Sequence, residues 1–157
     1  MIKHLKCLLV VLLLILSTTS AYAVIRIYGL EDFNLGRWVL GAGSIRADSS
    51  LCVAVVPRGP YQITAYGQGS GNSFVLSDVG VNLPFRVFYN DRQRSNGAEE
   101  LVPGQTLGGL RGRRVRGIRR ACSRPNANIT VFVAESDLSQ LPAGQYRGNV
   151  VIVVGPE

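Results

Sequence analysis

The sequence predicts an all-β fold of the immunoglobulin-like sandwich type, with a closed barrel as the alternative. Three observations carry that reading. Short apolar or alternating runs recur along the chain, Gly, Pro, Asn and Asp punctuate them, and helical signal is confined to one possible turn.

Residues 1–23 have the layout of a secretory signal. Lys3, His4 and Lys6 are positive, Leu8 to Leu16 is wholly apolar, and Ala21-Tyr22-Ala23 supplies small residues for cleavage. The apolar stretch falls well short of the roughly 20 residues needed to span a bilayer. The expected mature chain is one domain, residues 24–157, exported and without a membrane span.

Within it, Val24-Ile25-Arg26-Ile27-Tyr28 alternates loosely and reads as a first strand. Leu51 to Val56 is a second, stopped by Pro57-Arg58-Gly59-Pro60. Tyr61 to Tyr66 alternates cleanly and runs into Gly67-Gln68-Gly69-Ser70-Gly71-Asn72, read as a hairpin turn because Phe74-Val75-Leu76-Ser77 looks like another strand and not the helix a phosphate-binding loop needs. Leu83 to Tyr89 reads as one strand opened by Pro84. Glu99-Glu100 fall in a polar loop, and Leu101 to Leu107 leads into an arginine-rich stretch. Asn128 to Val133 follows. Ser136 to Leu141 suits one helical turn capped by Ser136. Val150-Val151-Ile152-Val153-Val154, unbroken and β-branched, reads as a strand buried on both faces, with a neighbour on each side. The count is seven to nine strands, and no later segment is available to lie beside the last.

Cys7 would leave with the signal, so Cys52 and Cys122 remain, an even pair that in an exported protein implies one disulfide. His4 would leave too, and residues 24–157 contain no Lys. Ser-His-Asp, Cys-His and Schiff-base catalysis are thereby excluded, as are the usual His or Cys metal sites. A paired-carboxylate mechanism has only Glu99, Glu100 and Asp137 to draw on. The expectation is a non-enzyme without cofactor or metal.

Residues 110–120 hold six arginines: Arg111, Arg113, Arg114, Arg116, Arg119 and Arg120. They account for most of the excess of 15 Arg over 10 Asp and Glu that is left once Lys3 and Lys6 are removed. Such a loop is either a solvated surface or an anion-binding element, since guanidinium pairs bidentately with carboxylate and phosphate. Nothing aromatic lies between Leu107 and Arg124 to stack a base, so specific nucleic-acid recognition is not expected. Asn128-Ile129-Thr130 is a glycosylation sequon inside an expected strand, and Trp38 reads as core or edge cover.

The order of these segments resembles the spore coat protein U family, which includes subunits of archaic chaperone-usher pili. The matching elements are Phe33-Asn34-Leu35-Gly36, Cys52, Tyr61-Gln62-Ile63-Thr64-Ala65, Phe74-Val75-Leu76-Ser77, Leu83 to Tyr89, Pro103-Gly104, Cys122 and Ala143-Gly144-Gln145-Tyr146 ahead of the final strand. The resemblance implies an incomplete pilin-type sandwich, carried through the periplasm by a chaperone, passed to an outer-membrane usher and completed by a strand from a neighbouring pilus subunit. It places the protein at the cell surface, in a pilus or coat with roles in adhesion or biofilm. It also implies a donor-strand groove walled by Ile25, Ile27 and Phe33 on one side and Val150, Ile152 and Val154 on the other. Only Val24 to Gly29 precede Leu30-Glu31-Asp32-Phe33, too little for a donor segment, so the match is closest to the terminal pilin domain of tip subunits. The alternative is a free-standing secreted module whose sandwich is closed by residues 24–28 and whose arginine loop binds anionic polysaccharide or extracellular DNA.

Overall fold

The computed structural model describes residues 23–111, 122 and 124–157. Residues 1–22 and the central arginines of the basic run (Arg113, Arg114, Arg116, Arg119 and Arg120) lie outside the described residues.

Ten strands follow one another: β1 (Val24–Tyr28), β2 (Ile45–Val56), β3 (Pro60–Gly67), β4 (Val75–Asp78), β5 (Val81–Pro84), β6 (Arg86–Asn90), β7 (Glu99–Leu101), β8 (Thr106–Arg111), β9 (Ala127–Val133) and β10 (Val150–Pro156). One helical turn, α1 (Glu135–Leu138), separates the last two. The all-β expectation holds. A five-stranded sheet in the order β1-β2-β9-β6-β7 is accompanied by a three-stranded sheet, β10-β3-β8, and by the β4-β5 hairpin; every ladder is antiparallel. Both sheets are open.

Alternation explains which side chains meet between the sheets. Successive side chains on a strand point to opposite faces. Leu51, Val53 and Val55 of β2, Val87 and Tyr89 of β6, and Ile129, Val131 and Val133 of β9 thus form one apolar layer, which packs with Tyr61, Ile63 and Ala65 of β3 in a single core. Each such large side chain taken from water contributes on the order of 1.5–3 kcal/mol.

β2 changes character along its length. Its first half alternates half-buried Ile45, Ala47 and Ser49 with exposed Arg46, Asp48 and Ser50 and pairs with β9, whereas its second half is buried from Leu51 to Val55 and pairs with β1. The polar alternation hides the first half from a search for apolar runs. Where β9 has not yet begun, the Asn126 side chain takes its place: Nδ2 donates to the Val53 carbonyl at 3.0 Å and Oδ1 accepts from the Val53 amide at 2.8 Å. Just beside that rung, Cys52 is joined to Cys122, with Cα atoms 5.6 Å apart.

Several expectations need correction. The run from Leu83 to Tyr89 is two strands, broken at Phe85, where the chain passes from the β4-β5 hairpin to the five-stranded sheet; the Phe85 amide donates to the Phe74 carbonyl at 3.0 Å, one step beyond Val75↔Pro84, and the two rings stack with centroids 5.7 Å apart. The glycine-rich turn is no hairpin: β3 pairs with β8 and β10, and β4 pairs with β5. Gly67 approaches the Ser73 main chain, and Gly69 the Ser73 side chain, so closely that a Cβ on either would collide, and the chain turns tightly through Ser70–Asn72 and leaves the sheet. Glu99 and Glu100 lie on β7, with Glu100 paired to Arg86, and not in a loop. α1 begins two residues early, with Ala134 and not Ser136 as its N-cap, and the hydroxyl of Ser44 accepts from the Glu135 amide at 3.1 Å. The sequon asparagine is buried in β9, its amide donating to Asp48 and Thr130, where a glycan has no room. Trp38 is half-buried against the core, as expected, and donates through Nε1 to the Gly43 carbonyl at 2.7 Å.

Candidate functional site

The terminal run is not buried on both faces. Val150, Ile152 and Val154 pack against the core, but Val151 and Val153 are 59% and 51% exposed on the other face. β10 is an edge strand, laddered to β3 from Val150↔Gly67 to Pro156↔Tyr61 and to no other strand among the described residues. An unbroken β-branched sequence thus sits where the pattern predicted a neighbour that the described fold does not supply. Edge strands present main-chain donors and acceptors to any chain able to lie alongside.

Next to this edge is a cavity of about 1240 Å³. Val150 and Ile152 form part of its wall, and Ile45, Val131 and Val133 come to it from the inner face of the five-stranded sheet. Two irregular stretches make its rim, residues 30–40 and residues 141–149. The second stretch is held in place by the β4-β5 hairpin: Ser77 and Arg147 exchange main-chain hydrogen bonds of 2.7 and 3.1 Å, Asp78 Oδ2 accepts from the Gln145 amide at 3.0 Å, and Gly148 lies so near the Val75 carbonyl that a Cβ would clash.

The sequence-derived groove residues are brought together only in part. Phe33, Val150 and Ile152 line the cavity; Ile25, Ile27 and Val154 do not, although all six pack against the core. Ile25 and Ile27 are half-buried on β1, which is laddered to β2 from Val24↔Val56 to Tyr28↔Cys52. β1 and β10 touch but share no ladder. Leu35, missed in the sequence as a groove residue, joins Phe33 in the cavity wall; the Phe33-x-Leu35 alternation was the signal that could have found it.

The geometry suits an extended chain. A strand laid along β10 would complete its hydrogen bonds with the main chain and send alternate side chains into the cavity. Titratable chemistry is concentrated elsewhere. On the outer face of the five-stranded sheet, burial acts to raise the Asp48 carboxyl, but hydrogen bonds from Thr130 and Asn128 and the charge of Arg46 outweigh it and leave it below its ordinary value. Glu100 is lowered chiefly by its hydrogen bond from Arg86, a guanidinium that also lies over the rings of Phe88 and Phe132.

Between the sheets, the Tyr61 and Tyr89 hydroxyls meet at 2.6 Å, both side chains fully buried. Burial pushes the Tyr61 phenol up to about 12 against the opposing effect of that hydrogen bond, and burial together with Tyr61 raises Tyr89 as well. An unfolded tyrosine ionises near 10, so the unfolded state loses these protons first. Stability is therefore complete below about pH 10 and falls as pH rises through about 12. Ultraviolet titration of the native protein is expected to leave two phenols un-ionised until the fold is lost, and ionisation of every tyrosine near pH 10 with the fold intact would refute this. Tyr61→Phe strands the Tyr89 hydroxyl at a cost of about 1–3 kcal/mol, part of which the Tyr61→Phe, Tyr89→Phe double variant restores.

The fold matches solved structures at the level of architecture. A chain from a structure described as a chaperone-tip adhesin complex vital for synergistic activation of CFA/I fimbriae biogenesis superimposes with a TM-score of 0.56 at 19% identity, over 85% of this chain and 41% of that one. A chain from the CsuC-CsuE chaperone-tip adhesion subunit pre-assembly complex, from the archaic chaperone-usher Csu pili of Acinetobacter baumannii, gives a TM-score of 0.48 at 17% identity, over 86% of this chain and 40% of that one. The chain spans about two fifths of the length of either. No family model and no curated protein sequence matches it. No helix of the described residues is long and apolar enough to cross a membrane.

Proposed function

We propose that the chain is an exported structural subunit of a surface pilus or coat, related to the spore coat protein U family and assembled by donor-strand complementation. A periplasmic chaperone would hold it in transit, an outer-membrane usher would receive it, and a neighbouring subunit would supply the missing strand. The observation that carries this reading is the free edge of β10 beside an apolar cavity, with Val150 and Ile152 facing inward. Left open, such an edge invites uncontrolled pairing; filled by a defined strand, it gains both hydrogen bonds and burial.

Two further features support the reading. β1 spends Val24–Tyr28 on its ladder with β2, so this segment is engaged within the fold and not free to be donated, which fits a tip or terminal position that accepts a strand. The free-standing module, in turn, needs β1 to close the sandwich against β10, and β1 is laddered to β2 instead.

The test is dependence on the chaperone. In cells lacking the chaperone the exported protein should be degraded or aggregated, and with the chaperone restored it should purify as a one-to-one complex. A heat-stable monomer accumulating without any chaperone, its residues 24–28 protected from protease, would overturn the proposal in favour of the free-standing module.

A further inference from the structure

The arginines of this protein fall into two groups that differ in what surrounds them. On the outer face of the five-stranded sheet, Arg46 and Arg86 are each paired with a carboxylate, Asp48 and Glu100. At the end of the sandwich where β2 crosses to β3 and β8 finishes, Arg58, Arg92, Arg94 and Arg111 form no such pair among the described residues.

Several contacts tie that second group together. The register Pro60↔Arg111 brings Arg111 to the same end as Arg58, two residues before Pro60. The Arg111 amide donates to Asp91 Oδ2 at 3.1 Å, which brings in the loop carrying Arg92 and Arg94, itself closed by a 2.7 Å bond from the Arg94 amide to the Arg92 carbonyl. Arg58, Arg92, Arg94 and Arg111 are all exposed, and none forms an ion pair among the described residues. Of the carboxylates at this end, Asp91 and Glu157 accept hydrogen bonds from main-chain amides, Glu157 from Gly109 at 2.9 Å, while Glu99 stands exposed at the foot of the 91–98 loop.

Guanidinium groups gathered at one end of a fold and outnumbering the carboxylates described there repel one another, and such a surface favours a ligand that brings counter-charges. We propose that this end of the sandwich, through Arg58, Arg92, Arg94 and Arg111, binds a linear polyanion of the acidic-polysaccharide class, bearing carboxylate or sulfate groups. Guanidinium groups match the planar or forked oxygens of both bidentately. Nucleic acid offers phosphates to the same groups, but its single strands are held through base stacking as well, and the nearby tyrosines, Tyr61 and Tyr89, are buried. The site lies at the Pro156 end of β10, away from Val150 and Ile152 in the cavity wall, and its test does not depend on strand acceptance.

Retention of the exported, purified protein on immobilised heparin tests this, with single-stranded DNA of similar length as competitor. Arg58→Gln, Arg92→Gln, Arg94→Gln together should weaken binding about tenfold or more near physiological salt and reduce the slope of log affinity against log salt by roughly two to three. The control Arg37→Gln, Arg46→Gln, Arg147→Gln removes as much charge from other parts of the surface and should leave retention near that of the parent. Equal losses in the two triple variants would mean that net charge alone is responsible, and unchanged retention in the first would mean that this end binds nothing; either overturns the proposal. Displacement by single-stranded DNA at concentrations below those needed with free heparin would replace the polysaccharide with nucleic acid. Thermal melting of each variant accompanies the assay, and competition by free polymers on the parent protein gives a result that does not depend on any variant folding.

Discussion

A peptide of alternating apolar residues, added to the exported protein, should raise its melting temperature on the order of 10 °C at a hundredfold excess over its dissociation constant, and Ile152→Asp should abolish the rise. The first figure follows from mass action: a ligand of the native state at that excess contributes about 2.7 kcal/mol, and a domain of this size shifts by a few degrees per kcal/mol. The second follows from position. Ile152 lies in the cavity wall, so an aspartate there puts a charge against the apolar side chains of the incoming strand. Val151, its neighbour, is mostly exposed on the opposite face, and Val151→Asp should leave the rise intact. If Ile152→Asp fails to fold, Ile152→Ala supplies the milder version, with weaker binding on a folded domain. Equal rises in the parent and in both Ile152 variants would mean that the peptide binds elsewhere and that the β10 edge is not the acceptor.

The disulfide should matter on a comparable scale. Cys52 and Cys122 are 70 residues apart, and in the chain-entropy model closing a loop of that length contributes about 4 kcal/mol by restricting the unfolded chain. Replacing both cysteines by alanine, or reducing the bond, should lower the melting temperature by roughly 10–20 °C. Alkylation of the unreduced exported protein should label no thiol in residues 24–157. Two labelled cysteines, or a loss below about 1 kcal/mol, would show that the bridge is absent or idle in the exported protein.

What could be read from the sequence depended on whether the physical signal was local. β1, β3 and β9 are alternating or apolar runs with clear stops, and their bounds were legible to within a residue. The first half of β2 was not, because Arg46, Asp48 and Ser50 on its outer side break the apolar run, and its strand character comes from pairing with β9, some 80 residues away. The break at Phe85 was hidden for a similar reason: β5 pairs with β4 whereas β6 pairs with β7 and β9, partners that the local sequence does not name. β10 is the instructive case. Its composition predicts burial on both faces, and the structure buries one, so the mismatch between pattern and environment marks the candidate site. Val150 and Ile152 line the cavity beside β10, whereas Ile25 and Ile27 stand away from it on β1, because nothing local says which neighbour β1 chooses.

The meeting of Tyr61 and Tyr89 has a mechanical consequence. Their hydroxyls form the polar link between β3 and β6, one from each sheet, inside an otherwise oily interface that by itself would allow one layer to slip over the other. Moving β3 along its axis by one residue turns its inner side chains outward, and moving it by two carries the Tyr61 oxygen about 6–7 Å from its partner, leaving two buried hydroxyls at about 1–3 kcal/mol each. The phenol pair therefore works as a detent with one resting position. Because β10 is laddered to β3, a pull applied along β10 reaches the five-stranded sheet as shear across this interface, and the detent is where that shear is first resisted.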